Sequence, residues 1–167
     1  MIVQGQTHCP ACGALLEEKD LPGEGIIPWC PACGQYRFPA YSVAVSMIAI
    51  SEATGKVLLI KQYGRDAYIL VAGYVSRGEE LEHAAARELR EETGMTATRL
   101  RFNRTSFFEP SNTLMCNFTV WVKDDAELHT NGEVDAFAWF TPEEARENIK
   151  PNSLARRFLL AWMEETL

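Results

Sequence analysis

The stretch Gly73 to Met95, GYVSRGEELEHAAARELREETGM, decides how the chain is read, for it holds six glutamates and three arginines and almost no bulky apolar side chain. The spacing predicts a helix over Glu79–Thr93, with Ser76 as a cap upstream and Gly94 as a left-handed stop downstream. Leu81, Ala85 and Leu89, with Ala84 and Ala86 beside them, form its apolar stripe. On such a helix Glu88, Glu91 and Glu92 stand at i, i+3 and i+4, so three carboxylates share one face. Unneutralised, they would repel one another and raise each other's pKa. Mg2+ or Mn2+ resolves that conflict, because hard cations take carboxylate and water oxygens. A solvated acidic face is the competing reading of the glutamates alone. Two further features favour the metal: Arg87, four residues before Glu91, can orient that carboxylate while leaving an oxygen free, and Gly73 and Gly78 bracket a loop where backbone can approach a ligand closely.

Working outward, SVAVSMIAI after Tyr41 reads as a largely buried strand, Ala53 to Lys56 as a turn and VLLIKQY as a second strand. Ala67 to Val75 continues the pattern, with Gly73 where the chain leaves the strand. Downstream, Ala97 to Ser106 and Leu114 to Val122 read as strands, Asp124 to Glu127 as a polar turn and Ala136 to Phe140 as a further strand. Thr141 caps a helix that starts at Pro142, with Glu144 as its capping-box partner. Ser153 opens a last helix whose Leu154, Phe158, Ala161 and Trp162 form one apolar face, a surface that could meet a second copy of the chain. Strands mixed with a few helices over residues 39–167 make this an α/β (α+β) domain.

Residues 1–38 differ in kind. They are rich in Cys, Pro and Gly, lack apolar periodicity and cannot build a core unaided. Four of the five cysteines fall in two copies of CPACG, Cys9 to Gly13 and Cys30 to Gly34, with seventeen residues between the pairs. Two such knuckles place Cys9, Cys12, Cys30 and Cys33 around one structural Zn2+. Disulfides, a redox C-x-x-C and buried apolar cysteines are the alternatives, the first two disfavoured by the missing secretory signal and by the repetition. Cys116, inside an apolar strand, reads as core.

At 167 residues the chain accommodates one main core and a small appendage. Its formal charge of −7 means that an anionic substrate needs a local positive source, such as bound metal or clustered Arg. Duplex DNA is an unfavourable partner, and the segment between the cysteine pairs, with four acidic residues and one lysine, is a poor phosphate surface. No apolar run approaches the ~20 residues of a membrane span. The opening MIVQGQTHCP lacks the layout of a secretory signal, so a cytoplasmic location is expected.

Written out, Gly73, five residues, Glu79, seven residues, Arg87-Glu88-Leu89, one residue, Glu91-Glu92, one residue, Gly94-Met95 resembles the Nudix hydrolase signature at all nine fixed positions. The resemblance implies a Nudix fold, a mixed sheet sandwiched between helices, and hydrolysis of a nucleoside diphosphate linked to another moiety. It implies Glu88, Glu91 and Glu92 as ligands of catalytic Mg2+ or Mn2+, one of them a candidate general base, and Arg87 and Glu79 as organisers of loop and helix. Pyrophosphate hydrolysis needs a water delivered to phosphorus and neutralisation of charge on oxygen, which clustered metals supply. Glu133, six residues before Trp139, stands where many Nudix enzymes carry another glutamate near the metals; a solvated turn in NGEVD is the other reading.

A four-cysteine ribbon before such a domain is similar to the NADH pyrophosphatase subgroup, which cleaves NAD(H) to nicotinamide mononucleotide and AMP and in some members removes NAD caps from RNA ends. The similarity runs from Cys9 to about Trp162 and includes SLARRF at Ser153 to Phe158. One segment departs: where the subgroup carries S-Q-P-W-P-F-P-x-S, this chain has TSFFEPSNT from Thr105 to Thr113, with Phe108 at the Trp position. Phe107 and Phe108 either stack a base or nicotinamide or belong to the core, and Tyr74 beside the signature glycine has the same two readings. ADP-ribose or another nucleoside diphosphate derivative is therefore the second substrate class, and a nucleotide-sensing regulatory module the third reading. The subgroup resemblance also implies a homodimer.

Overall fold

The computed structural model describes residues 6–125 and 129–166. The polar turn expected at Asp124 to Glu127 lies partly outside them. The chain divides into two compact units, Met1–Tyr41 and Ser42–Leu167.

In the first unit β1 (Glu17–Leu21), β2 (Gly25–Cys30) and β3 (Gln35–Tyr36) form an antiparallel sheet in the order β1-β2-β3. Each CPACG closes as a tight turn: Gly13 N–H donates to the Cys9 carbonyl at 2.8 Å and Gly34 N–H to the Cys30 carbonyl at 2.9 Å. Both glycines have positive φ, 75° and 64°, a region costly for any residue with a Cβ. The core here is little more than Cys9, Leu16 and Cys30. So small an apolar cluster needs a staple.

The second unit contains β4 (Ser42–Ser51), β5 (Val57–Gln62), β6 (Val71–Tyr74), α1 (Leu81–Thr93), β7 (Ala97–Phe108), β8 (Thr113–Val122), β9 (Val134–Phe140), α2 (Pro142–Asn148) and α3 (Leu154–Thr166). The sheet order is β7-β8-β4-β5-β9, with β6 also paired to β4. β4 and β8 are parallel and the other pairs antiparallel. On its second edge β4 forks, pairing β6 through Ala44 to Met47 and β5 through Ile50.

Burial on both faces explains why β4 and β5 read as continuous apolar runs. Val45, Met47 and Ala49 alternate onto one side, where they pack with Phe118 and with Ala84, Ala85 and Leu89 of α1. Ile48, Ile50, Val57 and Leu59 face the other, against Ala145, Ile149, Phe158, Leu159 and Trp162. The result is the expected mixed sheet between helices. Cys116 is buried in the first of these clusters.

Three local expectations are corrected. α1 begins at Leu81 with Glu80 as a cap whose side chain makes no capping hydrogen bond, and Ser76 instead donates its backbone N–H to Glu79 Oε2 at 2.9 Å. The Ala67 to Val75 stretch is a strand only over Val71–Tyr74, because Ile69 turns aside to bridge Ile60 and Tyr68 to bridge Ile149. The apolar face of α3 is not open to a second copy: Phe158 and Trp162 are buried against the sheet. By contrast, Gly94 ends α1 with φ 72°, and Thr141 and Glu144 form a reciprocal capping box on α2.

Candidate active site and cysteine cluster

Arg87 organises the acidic face of α1. Its Nε and Nη2 donate to the two carboxylate oxygens of Glu79 at 2.7 and 2.9 Å, a planar fork that lysine cannot reproduce. Nη1 donates to Glu88 Oε1 at 2.7 Å and to Glu91 Oε2 at 3.0 Å, and Nη2 also to the Tyr74 carbonyl at 3.0 Å. One guanidinium thus ties the loop, the end of β6 and two helix glutamates together. The Arg87 fork and the Ser76 N–H hold the Glu79 carboxyl down at about 2. Glu79 and Glu88 in turn raise the Arg87 pKa.

Glu88 lies flat against Gly73, leaving no room for a Cβ there. Glu91 is the most open of the three. Glu92 is 3% exposed, and burial, with the charges of Glu88, Glu133 and Glu91 added, pushes its carboxyl up to about 7. The Gln62 amide offsets part of that shift, while Glu92 Oε2 is buried with no hydrogen-bond partner among the described residues.

These residues edge a cavity of about 660 Å3 in the second unit. Glu88, Glu91, Glu92 and Glu133 stand together on its lining, as do Tyr74 and Phe108. Phe107 does not line it: alternation along β7 turns it to the opposite side of the strand, where it is 41% exposed. Glu133 accepts from the Tyr63 hydroxyl at 3.0 Å, and that bond raises the tyrosine pKa. Gln62, Tyr63, Asn131 and Lys150 also line the cavity and were not singled out from the sequence. They come from a strand end and two loops, where no periodicity marks them. The one available signal was Gly64 directly after Gln62-Tyr63, which announces a turn at the end of β5.

The donor set fits a hard divalent cation. Four carboxylates line one cavity, one with a buried oxygen that has no partner among the described residues, and the adjacent Arg87 is already committed to orienting Glu88 and Glu91.

In the first unit the Sγ atoms of Cys9, Cys12, Cys30 and Cys33 all lie within 4.8 Å of one another, forming a four-cysteine cluster consistent with a zinc ribbon. The Cys9–Cys33 and Cys12–Cys30 sulfur separations, 3.9 and 3.5 Å, bracket the ~3.8 Å edge of a tetrahedron with ~2.3 Å metal–sulfur bonds. Cys33 N–H donates to Cys30 Sγ and Arg37 Nε–H to Cys9 Sγ, at 3.3 and 3.1 Å. Burial pushes the Cys9 thiol up, and Arg37 with the backbone N–H groups of Ala11 and Cys12 overcomes this and brings it to about 6. Such donors are what a thiolate ligand needs around it.

A three-layer fold with a carboxylate cluster on the helix after a glycine loop defines a class, and the family model of the NUDIX domain matches residues 40–163. The chain belongs to the Nudix family. It is 30% identical over 158 residues to the NAD-capped RNA hydrolase NudC of Deinococcus radiodurans, covering 91% of this chain and 54% of that protein. To the NAD-capped RNA hydrolase NudC of Pseudomonas aeruginosa it is 26% identical over 153 residues, 90% and 53% of the two chains. The chain thus spans about half the length of the curated relatives it matches. Among solved structures, a NUDIX hydrolase from Nitrosomonas europaea aligns with TM-score 0.67 and 24% identity over 96% of this chain and 92% of that one. The NUDIX domain of Shewanella oneidensis NrtR, complexed with ADP ribose, aligns with TM-score 0.65 and 16% identity over 83% and 94%. At these identities the likeness is one of fold. Among the described residues no helix is long and apolar enough to cross a membrane.

Proposed function

We propose that this chain is a divalent-metal-dependent pyrophosphohydrolase that cleaves a nucleoside diphosphate derivative: free NAD(H), to nicotinamide mononucleotide and AMP, or the NAD cap of an RNA end, to nicotinamide mononucleotide and a 5′-monophosphorylated RNA. The observation that carries the reading is the Arg87 hub, which fixes Glu88 and Glu91 beside buried Glu92 at the edge of one cavity. Glu88, Glu91 and Glu92, with Glu133 nearby, are the residues that would hold Mg2+ or Mn2+. When bound, such ions activate water and neutralise charge on phosphoryl oxygens.

The protein's own part is placement. Arg87 sets the carboxylates, Gly73 lets Glu88 lie close to β6, and Phe108 and Tyr74 offer aromatic faces on which a base or nicotinamide ring can stack. A complete set of glutamates favours this reading over a nucleotide-sensing module. The four cysteines of the first unit would hold one structural Zn2+. Support for NAD(H) comes from the names of the relatives and from the ribbon placed before the domain.

A second reading, ADP-ribose as substrate, has one observation in its favour. The segment Thr105 to Thr113 lacks the prolines of the NADH subgroup and makes a short 3-10 turn over Glu109–Ser111, with Asn112 left-handed at φ 48°. Product analysis after incubation with Mg2+ or Mn2+ and, separately, NADH, NAD+ and ADP-ribose at equal concentration tests the choice. Fastest formation of AMP and reduced nicotinamide mononucleotide from NADH supports the first reading, and faster cleavage of ADP-ribose the second. Homodimer formation, through a surface other than the apolar face of α3, belongs to the same proposal and is read by light scattering.

A further inference from the structure

Gln62 ends β5, where pairing with β9 slips between Lys61 and Gln62. The next residue, Tyr63, has φ 56°, left-handed for a residue that is not glycine. Consecutive strand side chains point to opposite faces, yet Gln62 and Tyr63 both line the glutamate cavity. A register slip followed by a left-handed residue is a means of re-aiming a strand end toward a site. Gln62 is only 6% exposed, and its Nε2 has no hydrogen-bond partner among the described residues. Burying an amide donor in this state costs free energy that a bound acceptor can recover.

The neighbours say what that acceptor is. Ionised Glu88, Glu92 and Glu133 are acceptors only, so they cannot hydrogen-bond a phosphoryl oxygen directly. Asn131, Lys150 and Tyr63, whose hydroxyl is given to Glu133, also line the cavity; the Gln62 amide adds an uncharged N–H donor that does not compete with metal. Resting on the functional reading above, we propose that Gln62 is a substrate-contacting residue, its Nε2–H donating to a non-bridging phosphoryl oxygen of the cleaved pyrophosphate. Gln62 also favours the Glu92 carboxylate, and Mn2+ affinity separates a role confined to propping Glu92 from contact with the substrate.

The test uses the full chain as wild type, Gln62→Met, which keeps the volume and removes the donor, and Gln62→Glu, which replaces donor by acceptor. The readouts are kcat/KM on whichever of NADH, NAD+ and ADP-ribose the wild type cleaves fastest, Tm, and Mn2+ affinity by electron paramagnetic resonance. For Gln62→Met, kcat/KM falls about tenfold or more, as expected for a hydrogen bond to a charged group, while Tm stays equal or rises and Mn2+ affinity changes less than twofold. Gln62→Glu loses at least as much activity. Unchanged kcat/KM in Gln62→Met overturns the inference, as does a loss matched by weaker Mn2+ binding or a fall in Tm. If Gln62→Met does not fold, unchanged kcat/KM in Gln62→Glu overturns it as well. These results leave the functional reading standing. A wild type that neither cleaves nor binds any of the three compounds overturns both.

Discussion

A Cβ added to Gly73 would stand 1.9 Å from Cδ of Glu88 and 2.2 and 2.3 Å from its two oxygens. The φ of Gly73 is not positive, so space rather than backbone freedom requires the glycine. Gly73→Ala must therefore move the Glu88 carboxylate off β6 and out of its place beside Arg87. Displacements of about 1 Å at a reacting centre cost on the order of a hundredfold, and kcat should fall by at least that much. Because what must move is the far end of a flexible side chain, denaturant unfolding should show only a small loss of stability. Retention of wild-type kcat would show that Glu88 has freedom the structure does not give it.

The fork between Arg87 and Glu79 makes a second prediction. Lysine is a point donor and cannot hold Glu79, Glu88, Glu91 and the Tyr74 carbonyl at once. Arg87→Lys should lower kcat by about 10–100-fold, and Glu79→Gln should do much of the same damage from the other end. Because both act through one hub, the double variant should lose clearly less than the product of the single losses. Multiplicative losses would mean that the two residues act independently.

Glu92 gives a pH dependence with a definite sign. Its carboxyl is pushed up to about 7 in the folded chain from an ordinary value of 4.5, so between those values the folded state carries a proton that the unfolded state has lost. Stability contributed by this residue is full below about 4.5 and is lost as pH rises to about 7, by roughly 3 kcal/mol, with no further change above. Unfolding without added Mg2+ or Mn2+ should show this decline, and Glu92→Gln should flatten it. Mn2+ should stabilise the wild type more at pH 8 than at pH 5, since it competes with the proton. A wild-type profile unchanged by Glu92→Gln would refute the assignment.

Much of this could be read before any coordinates. The nine signature positions fall where their spacing requires: Leu89 and Met95 are core, Gly94 is left-handed, and Arg87 reaches Glu79, Glu88 and Glu91. Continuous apolar runs marked β4 and β5, which are buried on both faces. What such patterns missed depends on tertiary partners. Ser76 looks like a cap, but the Glu79 carboxylate held by Arg87 takes its N–H, so the helix starts two residues later than expected. Phe107 and Phe108 are equivalent in composition, and only the phase of β7 separates them. Gln62 and Tyr63 enter the cavity through a register slip and a positive φ, neither of which has a sequence period.

The cysteine cluster predicts one equivalent of zinc per chain in protein purified under reducing conditions without chelator. Cys12→Ser should lose that metal and destabilise the 6–41 segment, whose apolar core is too small to stand alone. Activity of the Nudix domain should be affected less than metal content. Metal analysis finding no zinc would remove the assignment.

The most direct test of the central claim, that the Arg87-held glutamates form a metal-dependent pyrophosphate-cleaving site, is the turnover of Glu91→Gln at saturating Mg2+. Glu91 is open to solvent, with 55% of its side chain exposed, so the substitution should leave Tm within about a degree of wild type. The account predicts loss of at least about a hundredfold in kcat on the best substrate, with the fold intact by circular dichroism. Wild-type turnover by Glu91→Gln under those conditions would contradict it.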